Sequence, residues 1–450
     1  MFETVLIANR GEIALRVART CQELGIRVVA VYSTEDEDAA VVRIADEAVR
    51  IGPGPARRSY LNIPAIIEAA ARTGADAIHP GYGFLSENPD FAEVCAAHGL
   101  TFVGPPAPVM ARLGDKAAAR CLAAELGLPL LPGSLEPLTE AAAAARLADE
   151  VGYPVIIKAV AGGGGRGTAV VRDRASFVAA YHDVQATARL LFGDERVYVE
   201  RFLEGARHVE IQVLCDTHGN AVHLGERDCS VQRRNQKLIE EAPAPGLSDD
   251  LLARMGRAAV HGALGAGYVG AGTFEFLVDQ DGDFYFMEAN CRIQVEHPVT
   301  EMVTGIDLVR EQLLVAAGRR LGFTQSDVTV RGAAIECRIN AEDPARGFVP
   351  TPGVLTEFDL PGGPFVRVDT HARRDLRISP AYDPLIAKLI VWAPDREQAV
   401  TRMRRALGEF RIGGPGVHTT SEFLRTVLDD PLFRAGKHDT SIVDTVLDQG

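Results

Sequence analysis

Residues 284–297, with the sequence FYFMEANCRIQVEH, alternate between polar and apolar side chains. Successive side chains of an extended strand point to opposite faces, so the polar residues of this stretch share one face. The polar face carries Glu288, Asn290, Arg292, Gln294 and Glu296, and the apolar face carries Met287, Ala289, Cys291, Ile293 and Val295. On its own, this pattern indicates an amphipathic strand whose polar face meets solvent.

A second predicted strand changes that interpretation. Residues 272–278, GTFEFLV, precede the first stretch, and QDGD at 280–283 is a hairpin signal. A loop of two or four residues places Glu275 directly opposite Glu288, whereas a loop of odd length breaks this pairing. Directly opposed side chains have Cβ atoms about 4.5–5.5 Å apart, where like charges destabilise a sheet. Two carboxylates so placed, followed by Asn290, are oxygen ligands suited to Mg²⁺ or Mn²⁺, and we therefore predict a metal site.

The composition limits the classes of protein to which the chain can belong. Its 450 residues are enough for two or three domains that each bury a core. The formal net charge of −14 argues against a general nucleic-acid-binding protein. The chain shows neither a membrane-length apolar run nor a signal peptide, and its seven dispersed cysteines are typical of reduced thiols. We expect a cytoplasmic protein with neither nucleic acid nor a membrane as a partner.

The N-terminal segment predicts a parallel sheet. An apolar strand at 4–8, a helix at 12–24 that ends at Gly25, and a β-branched strand at 27–32 form a strand–helix–strand unit. The turn Asn-Arg-Gly at 9–11 lacks the glycine fingerprint of dinucleotide-binding proteins, so NAD binding is not supported.

A glycine-rich segment, AGGGGRG at 161–167, joins strands predicted at 154–158 and 168–171. Successive glycine N–H groups can converge on a phosphate, and Lys158 and Arg166 add positive charge. The segment lacks the Lys-Ser/Thr pair of a P-loop, and a flexible linker is the alternative. We favour phosphate binding because strands and basic residues flank the glycines.

Two further polar stretches are ambiguous by themselves. ERDCSVQRRNQK at 226–237 is either a solvated charged loop or part of a site, and beside a metal and a phosphate loop its Lys237 and its arginines become candidate anion binders. AIECRIN at 334–340 alternates and points Glu336, Arg338 and Asn340 one way, for which a cross-strand ion pair is the simpler interpretation.

Together, these segments closely resemble the biotin carboxylases of the ATP-grasp superfamily, essentially from end to end. The matching segments are 7–14, 79–88, Lys158 with its glycine loop, 208–210, 226–237, Glu275, 288–301 and 336–344. The resemblance implies a multidomain α/β and α+β protein with an N-terminal Rossmann-like parallel sheet, a mobile lid and a C-terminal antiparallel sheet that form an ATP-grasp fold. We predict an N-terminal domain at 1–114, a linker and lid at 115–203, and the C-terminal half of the ATP-grasp fold with the C-terminal domain at 204–450.

The resemblance also implies the nucleotide and metal ligands. The residues implied for ATP are Lys116 and Lys158 at the phosphates, Gly164 and Gly165 in the phosphate loop, Glu200 and Leu203 on the adenine hinge, and His208. The residues implied for Mg²⁺ or Mn²⁺ are Glu275 and Glu288, with Asn290 at a second ion.

The implied reaction is ATP-dependent carboxylation of carrier-bound biotin by bicarbonate through carboxyphosphate, the first half-reaction of an acetyl-CoA or other acyl-CoA carboxylase in fatty acid biosynthesis. The biotin carboxylase component of a pyruvate or other keto-acid carboxylase is the alternative. The residues implied for bicarbonate are Lys237, Arg292, Gln294 and the Val295 backbone, with Glu296 as the general base; Arg338 would stabilise the biotin enolate, and Tyr82 would lie near biotin. Lys237, Arg292, Glu296 and Arg338 are the implied catalytic set. Another ATP-grasp ligase and a silent regulatory paralogue are the competing hypotheses. The Gln294–Glu296 and Arg338 motifs argue against the first. The second is disfavoured by an intact set of residues: Lys237, Glu275, Glu288, Arg292, Glu296 and Arg338.

The partners follow from what the chain lacks. No methionine precedes a lysine, so the Met-Lys-Met signature of biotin attachment is missing, and no room remains for a carboxyltransferase domain. We expect a homodimer, a separate biotin carboxyl carrier protein and a carboxyltransferase subunit. Four positions, Ala161, Asn235, Ala289 and Cys291, depart from the common family pattern. Asn235 leaves one nucleotide contact in doubt, and the last two predict altered packing, with Cys291 in the core rather than on a metal.

Overall fold

The N-terminal part of the chain forms a five-stranded parallel sheet with the strand order β3-β2-β1-β4-β5. The computed structural model describes residues 1–161 and 167–449. The elements of this part are β1 Thr4–Ile7, α1 Gly11–Glu23, β2 Arg27–Ser33, α2 Ala40–Ile44, β3 Glu47–Gly52, α3 Ile63–Thr73, β4 Ala77–His79, α4 Pro89–Ala97, β5 Thr101–Phe102, α5 Ala107–Gly114 and α6 Lys116–Glu125. The predicted strand–helix–strand unit is confirmed: Gly25, at φ +72°, follows the end of α1 in the left-handed conformation that glycine favours.

A three-stranded antiparallel sheet with two helices follows. Its elements are α7 Ala141–Val151, β6 Val155–Ala159, β7 Thr168–Val171, α8 Arg174–Phe192 and β8 Val197–Arg201, with the strand order β7-β6-β8. The strands predicted on both sides of the glycine segment are confirmed. The phosphate-binding prediction for Gly164 and Gly165 concerns residues outside the described part of the chain.

The C-terminal part is built on an eight-stranded antiparallel sheet with the strand order β13-β12-β9-β10-β11-β14-β21-β19. Its elements before residue 341 are β9 Arg207–Cys215, β10 Ala221–Arg233, β11 Gln236–Ala242, α9 Asp249–Ala266, β12 Gly270–Val278, β13 Phe284–Asn290, α10 His297–Thr304, α11 Leu308–Ala316 and β14 Ala333–Asn340. The remaining elements are β15 Glu342–Asp343, β16 Val349–Pro350, β17 Gly353–Val354, β18 Glu357–Asp359, β19 Val366–Thr370, β20 Arg377–Ile378, β21 Leu385–Ala393, α12 Arg396–Glu409, β22 Arg411–Gly413, α13 Ser421–Asp429, α14 Pro431–Arg434 and α15 Ile442–Gln449. The predicted combination of a parallel N-terminal sheet and a C-terminal antiparallel sheet is confirmed, while the residue boundaries of the domains stay a prediction.

The β12–β13 hairpin pairs Glu275 with Glu288 by a route that the sequence did not predict. Residues 279–283 lie between the paired Val278 and Phe284, so the loop has odd length. The register then shifts by one residue, because Phe276 pairs with Phe286 while Glu275 pairs with Glu288. The bulge at Met287 absorbs the extra residue and restores the predicted carboxylate pair.

The bulge and the end of β13 correct two other predictions. Met287 lines the large cavity of the protein instead of joining the apolar face. The strand ends at Asn290, and residues 291–296 form an irregular segment before α10, so the alternation predicted as far as Glu296 is wrong beyond that point. Cys291 is buried in the hydrophobic core under the sheet, as predicted.

The hydrophobic core lies mainly on the helix-covered faces of the large sheet. One cluster packs α9 and α5 against β9, β12 and β13, and a second packs α12 and α13 against β14 and β21. Among residues 1–161 and 167–449, no helix combines the length and the hydropathy that a membrane crossing requires.

Candidate active site

A cavity of about 980 Å³ lies where the eight-stranded sheet, the three-stranded sheet and the loops of the parallel sheet meet. Its lining includes all the predicted site residues in the described part of the chain except Glu296. These lining residues are Tyr82, Lys116, Lys158, Glu200, Leu203, His208, Lys237, Glu275, Glu288, Asn290, Arg292, Gln294, Val295 and Arg338. Glu296 is fully buried behind this wall.

Lys237 is the centre of the charged network at the base of the cavity. Its Nζ donates to Glu210 Oε2 at 2.5 Å, to Glu275 Oε1 at 3.0 Å and to Glu296 Oε1 at 2.6 Å. An ammonium group has three hydrogens, so these contacts use its full donor capacity. Burial lowers the pKa of Lys237, but the surrounding negative groups outweigh burial and raise the pKa well above its usual range. The lysine is therefore cationic.

Glu296 is held by cations at both of its oxygens. Oε1 accepts from Lys237, and Oε2 accepts from Arg338 Nη2 at 3.0 Å. Burial by itself raises the pKa of Glu296, but Lys237, Arg338 and Arg227 outweigh it and hold the pKa well below its usual range. Glu296 is consequently an ionised carboxylate, as a general base must be before it accepts a proton.

The predicted metal ligands supply oxygen donors along one edge of the cavity. Glu275 and Glu288 lie directly opposite each other, and Asn290 Nδ2 donates to Glu275 Oε1 at 2.8 Å. Each carboxylate already attracts a lysine: Lys237 contacts Glu275, and Lys116 Nζ lies 3.2 Å from Glu288 Oε2. Two carboxylates and an amide oxygen are hard ligands, so this donor set fits Mg²⁺.

The opposite end of the cavity carries the cations predicted for a nucleotide. Lys158 Nζ donates to Glu200, whose second oxygen accepts from Arg120 Nη1 at 2.7 Å. Burial raises the pKa of Glu200, but these cations outweigh it and lower the pKa. His208 Nε2 lies 2.9 Å from Glu275 Oε2, which links the nucleotide end to the predicted metal ligands.

Arg292, Gln294 and Val295 lie together on the irregular segment between β13 and α10. Arg292 Nη1 donates to Gln294 Oε1 at 2.8 Å. The carbonyl of Val295 accepts from the buried Lys388 Nζ at 2.8 Å, which fixes the orientation of this peptide. The Tyr82 hydroxyl, on the parallel-sheet side, donates to Glu12.

The polar stretch at 226–237 is not a solvated loop. It forms the end of β10, a two-residue turn at Arg234 and Asn235, both with positive φ, and the start of β11. Arg227 is fully buried and donates to Glu210 Oε1 at 2.6 Å, so it organises the network rather than facing the cavity. Arg234 and Asn235 line the cavity, so Arg234 remains a candidate anion binder beside Lys237.

Three protein-family models match the chain. They are "Biotin carboxylase, N-terminal domain" at residues 1–110, "Carbamoyl-phosphate synthase L chain, ATP binding domain" at 115–324, and "Biotin carboxylase C-terminal domain" at 336–445. The chain is 54% identical over 442 residues to a biotin carboxylase of Nostoc sp., covering 98% of both proteins. The chain belongs to the biotin carboxylase family.

Other relatives of this biotin carboxylase family member carry names that refer to different carboxylases. A pyruvate carboxylase subunit from Methanothermobacter thermautotrophicus is 51% identical over 444 residues, with 99% of this chain and 90% of the relative covered. The chloroplastic biotin carboxylase of Arabidopsis thaliana is 52% identical over 441 residues, with 98% and 82% covered. The chain is an enzyme, a biotin carboxylase of the ATP-dependent ligase class.

Solved biotin carboxylase structures share the whole fold. A complex of the Campylobacter jejuni enzyme with β,γ-ATP superimposes with a TM-score of 0.96 at 46% identity, covering 99% of both chains. The biotin carboxylase domain dimer of Hydrogenobacter thermophilus 2-oxoglutarate carboxylase, in complex with MgADP, ADP and bicarbonate, superimposes with a TM-score of 0.96 at 47% identity, covering 100% of this chain and 99% of the relative.

Several residues of the biotin carboxylase network had no role in the sequence prediction. Glu210 lies on β9 between His208 and Gln212, and all three are buried although they alternate with apolar residues. Such alternation of polar residues in a buried strand is the signal that could have identified Glu210. Lys388, a lone lysine in the apolar strand β21, carries a similar signal, because a fully buried lysine requires a partner.

Proposed function

We propose that this chain carboxylates biotin held on a separate carrier protein, with bicarbonate and ATP as the other substrates, in the first half-reaction of an acetyl-CoA or other acyl-CoA carboxylase. The observation that carries the proposal is the ionised Glu296, held between Lys237 and Arg338, two cations that line the same cavity as the residues assigned to ATP and its metal. Other ATP-grasp ligases require the residues for ATP and metal, but the combination of Glu296, Lys237 and Arg338 suits bicarbonate and biotin.

ATP is assigned to the end of the cavity with Lys116, Lys158, Glu200, Leu203 and His208. The lysine side chains supply positive charge for the phosphates, and the backbone around Leu203 supplies the edge against which a base rests. Gly164 and Gly165 are proposed to complete the phosphate contacts. Mg²⁺ held by Glu275 and Glu288, with Asn290 at a second ion, would neutralise charge on the triphosphate.

Bicarbonate is assigned to Arg292, Gln294, the Val295 backbone and Lys237. When the bicarbonate oxygens attract Lys237, one oxygen of Glu296 is freed from its ammonium partner and can accept the bicarbonate proton. The deprotonated bicarbonate oxygen then attacks the γ-phosphorus, the bond to the bridging oxygen breaks, and carboxyphosphate and ADP form. Most of the catalysis comes from cations fixed in place before the charge develops.

Biotin is assigned to the side of the cavity between Arg338 and Tyr82. Carboxyphosphate breaks down to CO₂ and phosphate, and the phosphate takes the proton from the ureido nitrogen of biotin. Arg338 donates hydrogen bonds to the oxygen that gains negative charge, and the ureido nitrogen then bonds to the carbon of CO₂. Because Arg338 contacts both Glu240 and Glu296, it is held at the junction of the two substrates.

The decisive experiment measures ADP release by the purified chain with Mg-ATP, with and without bicarbonate and free biotin. We expect biotin to stimulate turnover strongly and removal of bicarbonate to abolish it. ATP hydrolysis that ignores both compounds, with free biotin and with a biotinylated carrier, would contradict the proposal and favour another ATP-grasp ligase.

The final carboxyl acceptor requires a second experiment, because relatives of similar identity carry the names biotin carboxylase, pyruvate carboxylase and 2-oxoglutarate carboxylase. We offer the chain biotinylated carriers from an acyl-CoA carboxylase and from a pyruvate carboxylase. A lower KM for the first supports the proposed acyl-CoA role, and a lower KM for the second favours the keto-acid alternative. The proposal further includes a cytoplasmic location, a separate carboxyltransferase and a homodimer, the last because the Hydrogenobacter domain was solved as a dimer.

A further inference from the structure

Glu87 connects the parallel-sheet part of the protein to the irregular segment that carries Arg292. It lies in the loop between β4 and α4, and its side chain is 38% exposed. Its Oε1 accepts the backbone N–H of Cys291 at 2.9 Å, and its Oε2 accepts Nε of Arg292 at 2.8 Å. One carboxylate therefore holds the backbone N–H of Cys291 and the side chain of the next residue, Arg292.

The contact with Glu87 determines which edge of the Arg292 guanidinium faces the cavity. While Nε bonds Glu87, the two Nη groups bond residues of β13 and of the irregular segment, including the carbonyl of Ile293. Nη1 donates to Gln294 Oε1 at 2.8 Å, and Nη2 donates to Asn290 Oδ1 at 3.2 Å. Both of these partners line the cavity. A guanidinium fixed in this way presents a planar pair of donors, the arrangement that matches a carboxylate-like anion.

Glu87 is also the main compensating charge for Arg292. Burial lowers the pKa of Arg292, but the charge and hydrogen bond of Glu87, ahead of the charges of Glu296 and Glu275, outweigh burial and raise it. Glu296 and Glu275 are already engaged by Lys237. Glu87 is therefore the carboxylate that balances Arg292 without belonging to the network around Lys237.

We propose that Glu87 is a positioning residue that sets the affinity for bicarbonate by holding Arg292 with its Nη edge toward the cavity. The proposal rests on the proposed function, in which Arg292 binds bicarbonate. Without Glu87, the Arg292 guanidinium can rotate, and the free-energy cost of ordering it then weakens the binding of bicarbonate. Among the described residues, the lysines assigned to ATP contact Glu288 and Glu200 rather than Arg292, so we expect the loss to fall mainly on bicarbonate.

The test compares steady-state kinetics of the wild type, Glu87→Ala, Glu87→Gln and the control Glu47→Gln. Glu47 is matched to Glu87, because its side chain is also 38% exposed and also bonds an arginine, Arg27, at 2.5 Å, but Arg27 does not line the cavity, whereas Arg292 does. For Glu87→Ala we expect KM for bicarbonate to rise about tenfold, with KM for ATP changed by less than about twofold. Glu87→Gln keeps an oxygen acceptor and should show a smaller rise, and Glu47→Gln should match the wild type.

Two outcomes overturn the role of Glu87 while leaving the proposed function intact. One is an unchanged KM for bicarbonate in both Glu87 variants of an active enzyme. The other is an equal rise of KM for bicarbonate and for ATP together with a lower Tm, which indicates a merely structural residue. If Glu87→Ala does not fold, the nearly isosteric Glu87→Gln decides in the same way. A wild type without bicarbonate-dependent turnover contradicts the proposed function and this proposal with it.

Discussion

Two neighbouring groups of buried carboxylates in the eight-stranded sheet differ in their surroundings. In the first, Glu275 and Glu296 share the ammonium of Lys237, and their pKa values are held below the usual range because Lys237 and their other cationic and hydrogen-bonding partners together outweigh burial. In the second, Glu240 and Glu336 lie directly opposite each other on β11 and β14. Burial raises the pKa of Glu240 to about 7 and raises the pKa of Glu336 well above its usual range.

The contrast shows that burial alone does not decide the protonation state of a carboxyl group. All four side chains are nearly or fully buried. Glu296 has a cation at each oxygen, whereas neither oxygen of Glu336 has a hydrogen-bond partner in the described part of the chain. Opposed carboxyl groups cannot both ionise at low cost, so the second group keeps a proton that the first has lost. At neutral pH Glu296 is therefore ionised, whereas the raised pKa of Glu336 keeps that carboxyl protonated.

The largest expected effect follows removal of the base from the first group. Glu296→Gln keeps the shape of the side chain but cannot accept a proton, and we expect kcat to fall about 10³-fold. Binding of ATP, measured by calorimetry, should change less than about threefold, because the cations that Glu296 contacts, Lys237 and Arg338, are not among the residues assigned to ATP. Turnover of Glu296→Gln close to that of the wild type would show that Glu296 is not the general base.

The second prediction removes the shared cation. Lys237→Met leaves Glu210, Glu275 and Glu296 without their common donor, and we expect a loss of about 3 kcal/mol in the free energy of unfolding at pH 7.5. Without Lys237 the pKa values of Glu275 and Glu296 rise. The unpaired carboxyls of the variant take up protons at a higher pH than in the wild type, so the cost of their buried charge disappears as pH falls and the deficit should shrink toward pH 4.5.

Urea unfolding at several pH values measures this deficit. The exposed Lys437, replaced by Met, is the control and should show no pH-dependent deficit. A deficit for Lys237→Met that does not vary with pH would mean that the paired carboxylates do not depend on this lysine.

The sequence predicted the main features of the first group but little of the second. Alternation on β12 and β13 predicted that Glu275 and Glu288 face each other on the condition of a loop of two or four residues, and the pairing is present although the loop has odd length. It could not reveal that the loop is odd and that a bulge at Met287 compensates for it. The two register changes cancel, so the pairing is the same as that of an even loop without a bulge. The roles of Lys237, Arg292 and Arg338 came from resemblance to a family.

Long-range partners explain most of what was missed. The charges of β10 left a solvated loop and part of a site as alternatives, yet Arg227 bonds Glu210 and Asp228 bonds Arg207, so each is satisfied by a residue of β9. Glu87 and Arg292 are 205 residues apart. Local sequence shows that a residue is charged, and only the assembled sheets show which cation or carboxylate neutralises it.

The third prediction concerns Glu336 of the second group. Glu336 faces Glu240 on β11, Lys388 on β21, and Arg338 and Glu296 across the site, and the net effect of burial and these charges raises its pKa. A raised pKa contributes stability at low pH that is lost as pH rises through the folded-state value. Glu336→Gln removes this loss, so we expect the variant to gain about 1 kcal/mol at pH 8 and much less at pH 5.

Thermal unfolding from pH 5 to pH 8 measures this difference, and Glu240→Gln provides a comparison in which a contact with Arg338 is also altered. A variant Glu336→Gln that is less stable than the wild type at pH 8 would show that Glu336 is ionised and paired in solution.

The smallest expected effect concerns Cys229, a thiol beside the first group of carboxylates, and tests whether it takes part in proton transfer. Cys229 is buried beside Glu296, with its Sγ 3.9 Å from Oε1, and burial together with the charge of Glu210 raises the pKa of its thiol well above the usual range. A thiol that stays protonated next to an ionised carboxylate cannot act as the base. Cys229→Ala should therefore keep kcat within about threefold and leave the pH dependence of kcat unchanged, with a modest loss of Tm from the small cavity that it creates. If kcat of Cys229→Ala instead fell a hundredfold and the acidic limb of its pH profile moved, proton transfer would pass through the Cys229 sulfur. The contacts of the carboxylates with cations would then not be sufficient to identify the base.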